Sequence, residues 1–331
     1  MHRFTIAFAI LLFIGCNTQK SDLADGGNTS SSGGPLRVAV VPKGTSHQFW
    51  MSVHAGAKRA AAELDDVEII WKGAQMESDT AGQIGVVKNF ITKRVDGICL
   101  APTHTEALVD VVVEANDEGI PVVVFDSGLG KGAKTVSYVA TDNFNGGKLA
   151  AKLMSEVLGG KGDVILLRYR AGSESTEQRE AGFLEGIQES PEINVLSSDQ
   201  YAEATTESAM KKAQSLLLKY QDEVDGIFAV NESSCNGTLE ALEQSGLAGK
   251  VHFVAFDASD GLINGLKNDS VSGIVLQDPE SIGYNSVKTI VAHLRGEQVD
   301  SVVSTGEHVA TKANMDQEPI TKLLQPPKLE Q

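Results

Sequence analysis

Two short segments of this chain return at nearly the same spacing, and that doubling limits what it can fold into. Val95-Asp96-Gly97-Ile98 is matched by Val224-Asp225-Gly226-Ile227, 129 residues on, and Val124-Phe125-Asp126-Ser127 by Ala255-Phe256-Asp257-Ala258, 131 residues on. Offsets this close mark two structurally equivalent halves. Within each half, short apolar runs alternate with helical patterns. The first half reads LRVAVV then a helix over 48–64, VEIIW then 80–93, GICLA then 105–118, and PVVVF. The second reads VSYVA then 146–158, DVILL then 176–189, INVLS then 206–219, GIFAV then 235–244, and VHFVAF. Short apolar strands separated by helices are the pattern of parallel sheets covered on both faces. The fold class expected is therefore α/β, with two doubly wound parallel-sheet lobes. Ligands of such sheets gather outside the carboxyl ends of the strands, where Asp126 and Asp257 both fall, one per lobe. If the lobes face each other by those edges, two carboxylates point into one cleft.

Composition narrows the function classes. At 331 residues, 41% apolar and 22% charged, the chain can bury one or two full cores. A formal charge of −16 with no basic run excludes nucleic acid as a partner, because phosphates would go unneutralised. The amino terminus is distinct: Met1-His2-Arg3, an apolar run from Phe4 to Ile14, and Gly15-Cys16 read as a signal peptide, too short to span a bilayer. Phe13-Ile14-Gly15-Cys16 resembles the lipobox of bacterial lipoproteins, with Phe13 where that motif usually has Leu. The resemblance implies removal of residues 1–15, lipidation of Cys16, and a membrane-anchored lipoprotein of the periplasm or cell envelope. Residues 16–35, rich in Ser, Gly, Asn and Asp, read as a flexible tether. Cys99 and Cys235 then remain, too few for a disulfide framework, and are expected as buried structural residues.

Seven motifs in order, SHQFW, VVVFDS, VATDNFNGG, QREAGF, FAVNE, VAFDAS and VLQDPESIG, resemble those of the periplasmic sugar-binding proteins of ABC importers. The similarity is to their ribose-binding-protein group, a type I periplasmic binding fold shared with lactose-repressor-type effector domains, and it runs from about Leu36 to about Thr311. Carried over residue by residue, it implies that His47, Phe49, Trp50, Asp126 and Ser127 line the cleft from the first lobe, and that Arg179, Asn231, Asp257 and Gln277 face them. By the same resemblance the hinge has three crossovers, near Thr141-Asp142, Gln277-Asp278 and Val303-Thr305. They give interleaved lobes of 36–141 with 278–304, and 142–277 with 305–331. Carboxylates accept hydroxyl protons while Arg, Asn and Gln offer planar donors, which suits a monosaccharide or sugar alcohol. Where the ribose-binding pattern has Arg after the first cleft Asp this chain has Ser127, and no aromatic aligns near Tyr201-Ala202-Glu203-Ala204. Both departures point away from ribose, toward a larger or differently configured polyol.

The residues themselves leave plainer readings open. A lone Asp at a strand end is commonly a cap or turn former; Asn231 fits a helix cap, Gln277 a turn residue, and Arg179 a solvated helix face. One ring of the Phe49-Trp50 pair fits a hydrophobic staple for the helix beginning there. Other chemistries lack their signatures: no Gly-x-Ser-x-Gly elbow, no helix opening after Gly128-Leu129-Gly130-Lys131-Gly132, and no paired histidine spacing for a metal. The expectation is a monomeric binding protein without cofactor or metal that passes its sugar to an ABC permease by hinge closure rather than bond making. The rivals are a sugar sensor presenting ligand to a chemoreceptor or sensor kinase and a glycosidase using the two cleft carboxylates. A repressor is set aside, since a signal peptide and tether stand where a DNA-binding headpiece belongs.

Overall fold

The computed structural model describes residues 34–327 together with Met1, His2 and Leu329. The signal-peptide, lipidation and tether readings fall mainly on residues 3–33, outside the described residues.

The first sheet is built from β1 (Leu36–Val41), β2 (Val67–Trp71), β3 (Gly97–Leu100), β4 (Val122–Phe125) and β5 (Ser137–Ala140), with helices α1 (Gln48–Glu63), α2 (Thr80–Thr92) and α3 (Val109–Asp117) between them. The chain then passes to a second sheet through α4 (Asn143–Leu158), β6 (Lys161–Arg168), α5 (Glu174–Ile187), β7 (Glu192–Tyr201), α6 (Thr206–Lys219), β8 (Gly226–Ala229), α7 (Glu232–Ser245), β9 (His252–Phe256), α8 (Asp260–Lys267) and β10 (Gly273–Leu276). It returns through α9 (Pro279–Leu294) to β11 (Val302–Ser304), and crosses once more to β12 (His308–Ala310) and α10 (Ile320–Leu324). The sheet orders are β11-β5-β4-β3-β1-β2 and β12-β10-β9-β8-β6-β7, six strands each. All pairings are parallel except β10 with β12, so the two sheets share one plan, as the repeated segments predict.

Period-two alternation explains why the strands are apolar throughout. Val38 and Val40 of β1 pack with α1 and α9 on one face, while Ala39 and Val41 pack with α2 and α3 on the other. Both faces are therefore core. The helix pairs that cover matching faces approach unusually closely, and glycines permit it. A Cβ on Gly56 of α1 would lie 1.9 Å from the Glu280 carbonyl oxygen of α9, and one on Gly182 of α5 would lie 2.0 Å from the Phe144 carbonyl oxygen of α4. No side chain fits at either crossing. The α4–α5 contact also pins Arg179, midway along α5, under the second sheet's cleft edge.

Several helix starts differ from the sequence pattern, for local reasons. The helix expected from Thr105 begins at Val109, because Thr105 N–H donates to Gly172 O at 2.8 Å and the Glu106 and Ala107 amides donate to His104 Nδ1 at 3.3 and 3.4 Å. Those amides are engaged in a turn. Conversely α4 begins at Asn143 and α7 at Glu232, each earlier than expected, because Asp142 and Asn231 accept from the amides three residues on and cap the first turn. Cys99 and Cys235 are buried free thiols, as expected, and burial pushes both thiol pKa values up.

Candidate functional site

The carboxyl ends of the two sheets face each other across a narrow cavity lined from both lobes. Asp126 and Asp257 reach it by the same backbone device. Each follows the last residue of a strand, each takes a left-handed conformation, φ 61° and 72°, and each amide donates to a neighbouring strand, to Val139 O and Val275 O, at 3.0 Å. Aspartate tolerates this region better than bulkier residues, and the turn swings both carboxylates toward the opposite lobe. The strained pair of equivalent positions is what the repeat encodes.

Of the residues singled out in the sequence, His47, Phe49, Trp50, Asp126, Arg179, Asn231, Asp257 and Gln277 line this cavity. Ser127 does not, which departs from the resemblance. Its hydroxyl is wholly buried and accepts from Ser175 N–H at 2.9 Å, a bond to the other lobe that turns it away from the cavity. Arg179 is no solvated surface residue: it is 2% exposed, donating from Nε to Asn143 Oδ1 and from Nη1 to Val230 O, both at 2.9 Å, with its guanidinium carbon 3.8 Å from the Phe256 ring centroid. Asn231 combines both of its readings, capping α7 through its side-chain oxygen while lining the cavity. Gln277 Nε2 donates to Asp257 Oδ1 at 2.6 Å, and Glu232 N–H donates to Asp257 Oδ2 at 2.9 Å. Burial nevertheless raises the Asp257 pKa, outweighing Arg179 and these donors.

Six further residues complete the lining: Lys43, Glu77, Tyr169, Ser175, Thr176 and Glu232. Glu77 is the hub of the aromatic wall. Its Oε1 accepts from Trp50 Nε1 at 2.7 Å and pairs with His47 Nδ1 at 2.8 Å, while its Oε2 accepts from the Tyr169 hydroxyl of the second sheet at 2.6 Å. Burial opposes charge on His47, but Glu77 beside it, with Glu232 and Asp257 farther off, raises its pKa to about 9. It is an imidazolium at neutral pH. Burial likewise opposes charge on Glu77, yet His47, Lys43 and the Tyr169 hydroxyl hold its pKa well below the carboxylate range. The Trp50 ring meets Phe49 edge-on at 4.8 Å and Phe125 at 6.3 Å, so its orientation is fixed on three sides.

Lys43, just beyond β1, lies 2.9 Å from Asp126 Oδ2 and donates to Ser173 Oγ at 3.3 Å and Ser175 Oγ at 3.1 Å. The Asp126 contact is an ion pair off the hydrogen-bond direction, so Oδ2 makes no hydrogen bond despite its burial. An acceptor left this way in a cavity wall is matched to a hydroxyl donor. Five of the six additional residues share one signal, sitting just beyond strand carboxyl ends or at the helix starts that follow them, whereas Glu77 stands in the loop between β2 and α2. Applying the strand-end rule to every strand, rather than to the repeated pair alone, finds Lys43, Tyr169 and Glu232. Tyr169 also supplies an aromatic from the second lobe, just beyond β6 rather than from the segment around Ala204. Among the described residues no cluster of His, Cys, Asp and Glu is placed to hold a metal ion, and no helix is long and apolar enough to cross a membrane.

Comparison with known proteins agrees with this geometry. Residues 38–298 match the family described as periplasmic binding protein domain. The ribose import binding protein of Haemophilus influenzae is 29% identical over 275 residues, 83% of this chain and 91% of that protein. Among solved structures, a carbohydrate transporter solute-binding protein of Agrobacterium radiobacter in complex with D-arabinose superposes with a TM-score of 0.84 at 32% identity, covering 88% of this chain and 99% of that one. An ABC transporter solute-binding protein of Agrobacterium vitis, bound with α-D-tagatopyranose, superposes with a TM-score of 0.83 at 31% identity, covering 89% and 100%.

Proposed function

Because this chain belongs to the periplasmic binding protein family, we propose that it is an extracytoplasmic solute-binding protein that captures a neutral monosaccharide or polyol between its lobes and delivers it to an ABC permease. The observation that carries this reading is the pair Asp126 and Asp257, brought by equivalent left-handed turns into one cavity with Arg179, Lys43 and an aromatic wall. The carboxylates accept hydroxyl protons, Arg179, Lys43 and Asn231 donate, and Phe49 and Trp50 offer apolar faces to the carbon-bound hydrogens of a ring. Charged hydrogen bonds in such a site contribute about 1.5–3 kcal/mol each, so a handful supports micromolar binding.

The working event is closure about the three chain crossings at 141–142, 277–278 and 303–305, between units 36–141 with 278–304 and 142–277 with 305–331. No bond is made or broken. In the same proposal residues 1–15 are a lipoprotein signal, Cys16 carries the lipid that holds a monomer to a membrane of the cell envelope, and 16–35 are its tether. The deciding experiment is mass spectrometry of ligand released from the purified protein, with a thermal-shift panel of D-arabinose, D-tagatose, D-allose, D-ribose, xylitol and myo-inositol. A bound polyol and a concentration-dependent rise in melting temperature support the proposal. An amino acid or other non-polyol ligand, or hydrolysis of aryl glycosides abolished by Asp126→Ala, overturns it.

A further inference from the structure

Helices that open onto the cleft mostly cap themselves: Asp142, Asn231, Ser259 and Asp278 each accept a hydrogen bond from the amide three residues on. The starts of α1 and α5 do not. His47 and Ser173, at their N-cap positions, make no side-chain cap bond, and α1 has no acidic residue in its first turn. In both cases the missing acceptor comes from the other lobe. Glu232, at the start of α7, reaches across the cleft so that Oε1 accepts from Gln48 N–H at 3.0 Å and Oε2 from Phe49 N–H at 2.9 Å. Ser127, at the end of β4, returns the arrangement, its Oγ accepting from Ser175 N–H of α5 at 2.9 Å. Beside it Gly128 N–H donates to Glu174 Oε2 at 2.8 Å, a second bond across the same seam.

We propose that the closed cleft is held by helix caps exchanged between the lobes, with Glu232 capping α1 and Ser127 capping α5 as positioning residues for ligand retention. The proposal rests on the sugar-binding reading above and adds the device that sets how long a ligand is kept. First-turn amides have no intrahelical partner, so separating the lobes strips both helix starts of their acceptors. A carboxylate facing two amides at the positive end of a helix makes charge-assisted bonds, and both partners at this cap are buried in the closed form. These bonds form whenever the lobes close, with or without sugar, and around a bound ligand they must break before it leaves. Their loss therefore acts on release and leaves entry unchanged. The caps also order the aromatic wall, because Phe49 and Trp50 occupy the first turn that Glu232 completes.

Glu232 lines the cavity and Ser127 does not, which separates capping from ligand contact. The test uses the full chain with Ser127→Ala, Glu232→Gln and Glu232→Ala, D-arabinose as probe, stopped-flow tryptophan fluorescence for entry and release, and small-angle scattering with and without sugar. The expected result is release faster by about threefold in Ser127→Ala, with its entry rate within about twofold of wild type, and release faster by about tenfold or more in Glu232→Ala, with Glu232→Gln between them. The sugar-free variants should also show a larger radius of gyration than sugar-free wild type. Release at the wild-type rate in Ser127→Ala overturns the exchange of caps, whatever Glu232→Ala does, and so do equal radii of gyration across the sugar-free set. If D-arabinose and the rest of the sugar panel leave the wild type unbound, the sugar-binding reading fails instead. The sugar-free scattering then decides the capping device by itself.

Discussion

Replacing Glu77 with Gln removes the charge on which the aromatic wall is organised. In the native cleft that carboxylate, 8% exposed, holds an imidazolium at 2.8 Å and accepts from an indole N–H and a phenol. Breaking a buried ion pair by removing one partner costs about 3–5 kcal/mol. Gln keeps one acceptor oxygen, and His47 can shed its proton, which places Glu77→Gln at the lower end, about 3 kcal/mol. At about 2–4 °C per kcal/mol for a chain of this class, the melting temperature falls by roughly 6–12 °C near neutral pH. The pH dependence carries the more specific signature. His47 has its pKa raised from 6.5 to about 9 in the fold, so the stability it contributes is complete below 6.5 and is lost as pH rises through 9. Glu180, raised by burial to about 7 against the Tyr169 amide and Arg168, and Glu232 and Asp257, both raised by burial, titrate in wild type and variant alike, so the His47 contribution is the difference between the two profiles. Scanning calorimetry of the sugar-free protein from about pH 7 to 9 should show Glu77→Gln starting lower than wild type and declining several degrees less across the window. A variant that melts within about 1 °C of wild type at neutral pH, or keeps the wild-type decline, refutes the ion-pair account.

Other consequences are open to simpler measurements. Gly56→Ala places a methyl 1.9 Å from the Glu280 carbonyl oxygen and forces α1 from α9, so calorimetry should show a loss of about 2 kcal/mol or more, and a native melting temperature sinks the close-crossing argument. Trp50 is 2% exposed and bonded to Glu77, so Trp50→Ala should lower both the sugar-free melting temperature, by about 3 kcal/mol of stability, and sugar affinity. An unchanged melting temperature would mean that the ring serves ligand alone. Asp126, Asp257, Glu77 and Glu232 outnumber Lys43, His47 and Arg179 in the lining, so a sugar phosphate should bind at least about tenfold more weakly than its neutral parent, and calorimetry showing the reverse preference contradicts that charge balance. Cys16→Ser should move the protein from the membrane fraction to the soluble one and abolish labelling by a radioactive fatty acid; retention of both argues against the lipoprotein reading.

Much of the fold is legible in the sequence because its signal is local. Apolar runs such as VVVF and GIFA can be satisfied only as strands buried on both faces, and the repeat of Phe-Asp at a strand end marks equivalent positions in two sheets. The strand-end rule points Asp126 and Asp257 toward one cleft, and both line the same cavity. Helix boundaries were less legible: Thr105 is drawn into a turn by Gly172, a partner 67 positions away that no local pattern shows.

What the sequence determined by itself is the set of surfaces: two α/β lobes, the edge each offers, and the carboxylates and aromatic pair standing on those edges. Only the tertiary structure decided which of those groups meet across the gap. Glu77 and Glu232 read as ordinary acidic loop and helix-start residues, and Ser127 as a cleft residue, until the lobes come together. Then Glu77 becomes the partner of His47, Trp50 and Tyr169, Glu232 becomes the acceptor for α1, and Ser127 turns to Ser175. The physical reason is range. Strand and helix preferences act over a few residues, whereas a buried charge or amide takes its partner from whatever the packing of distant segments brings within hydrogen-bond reach.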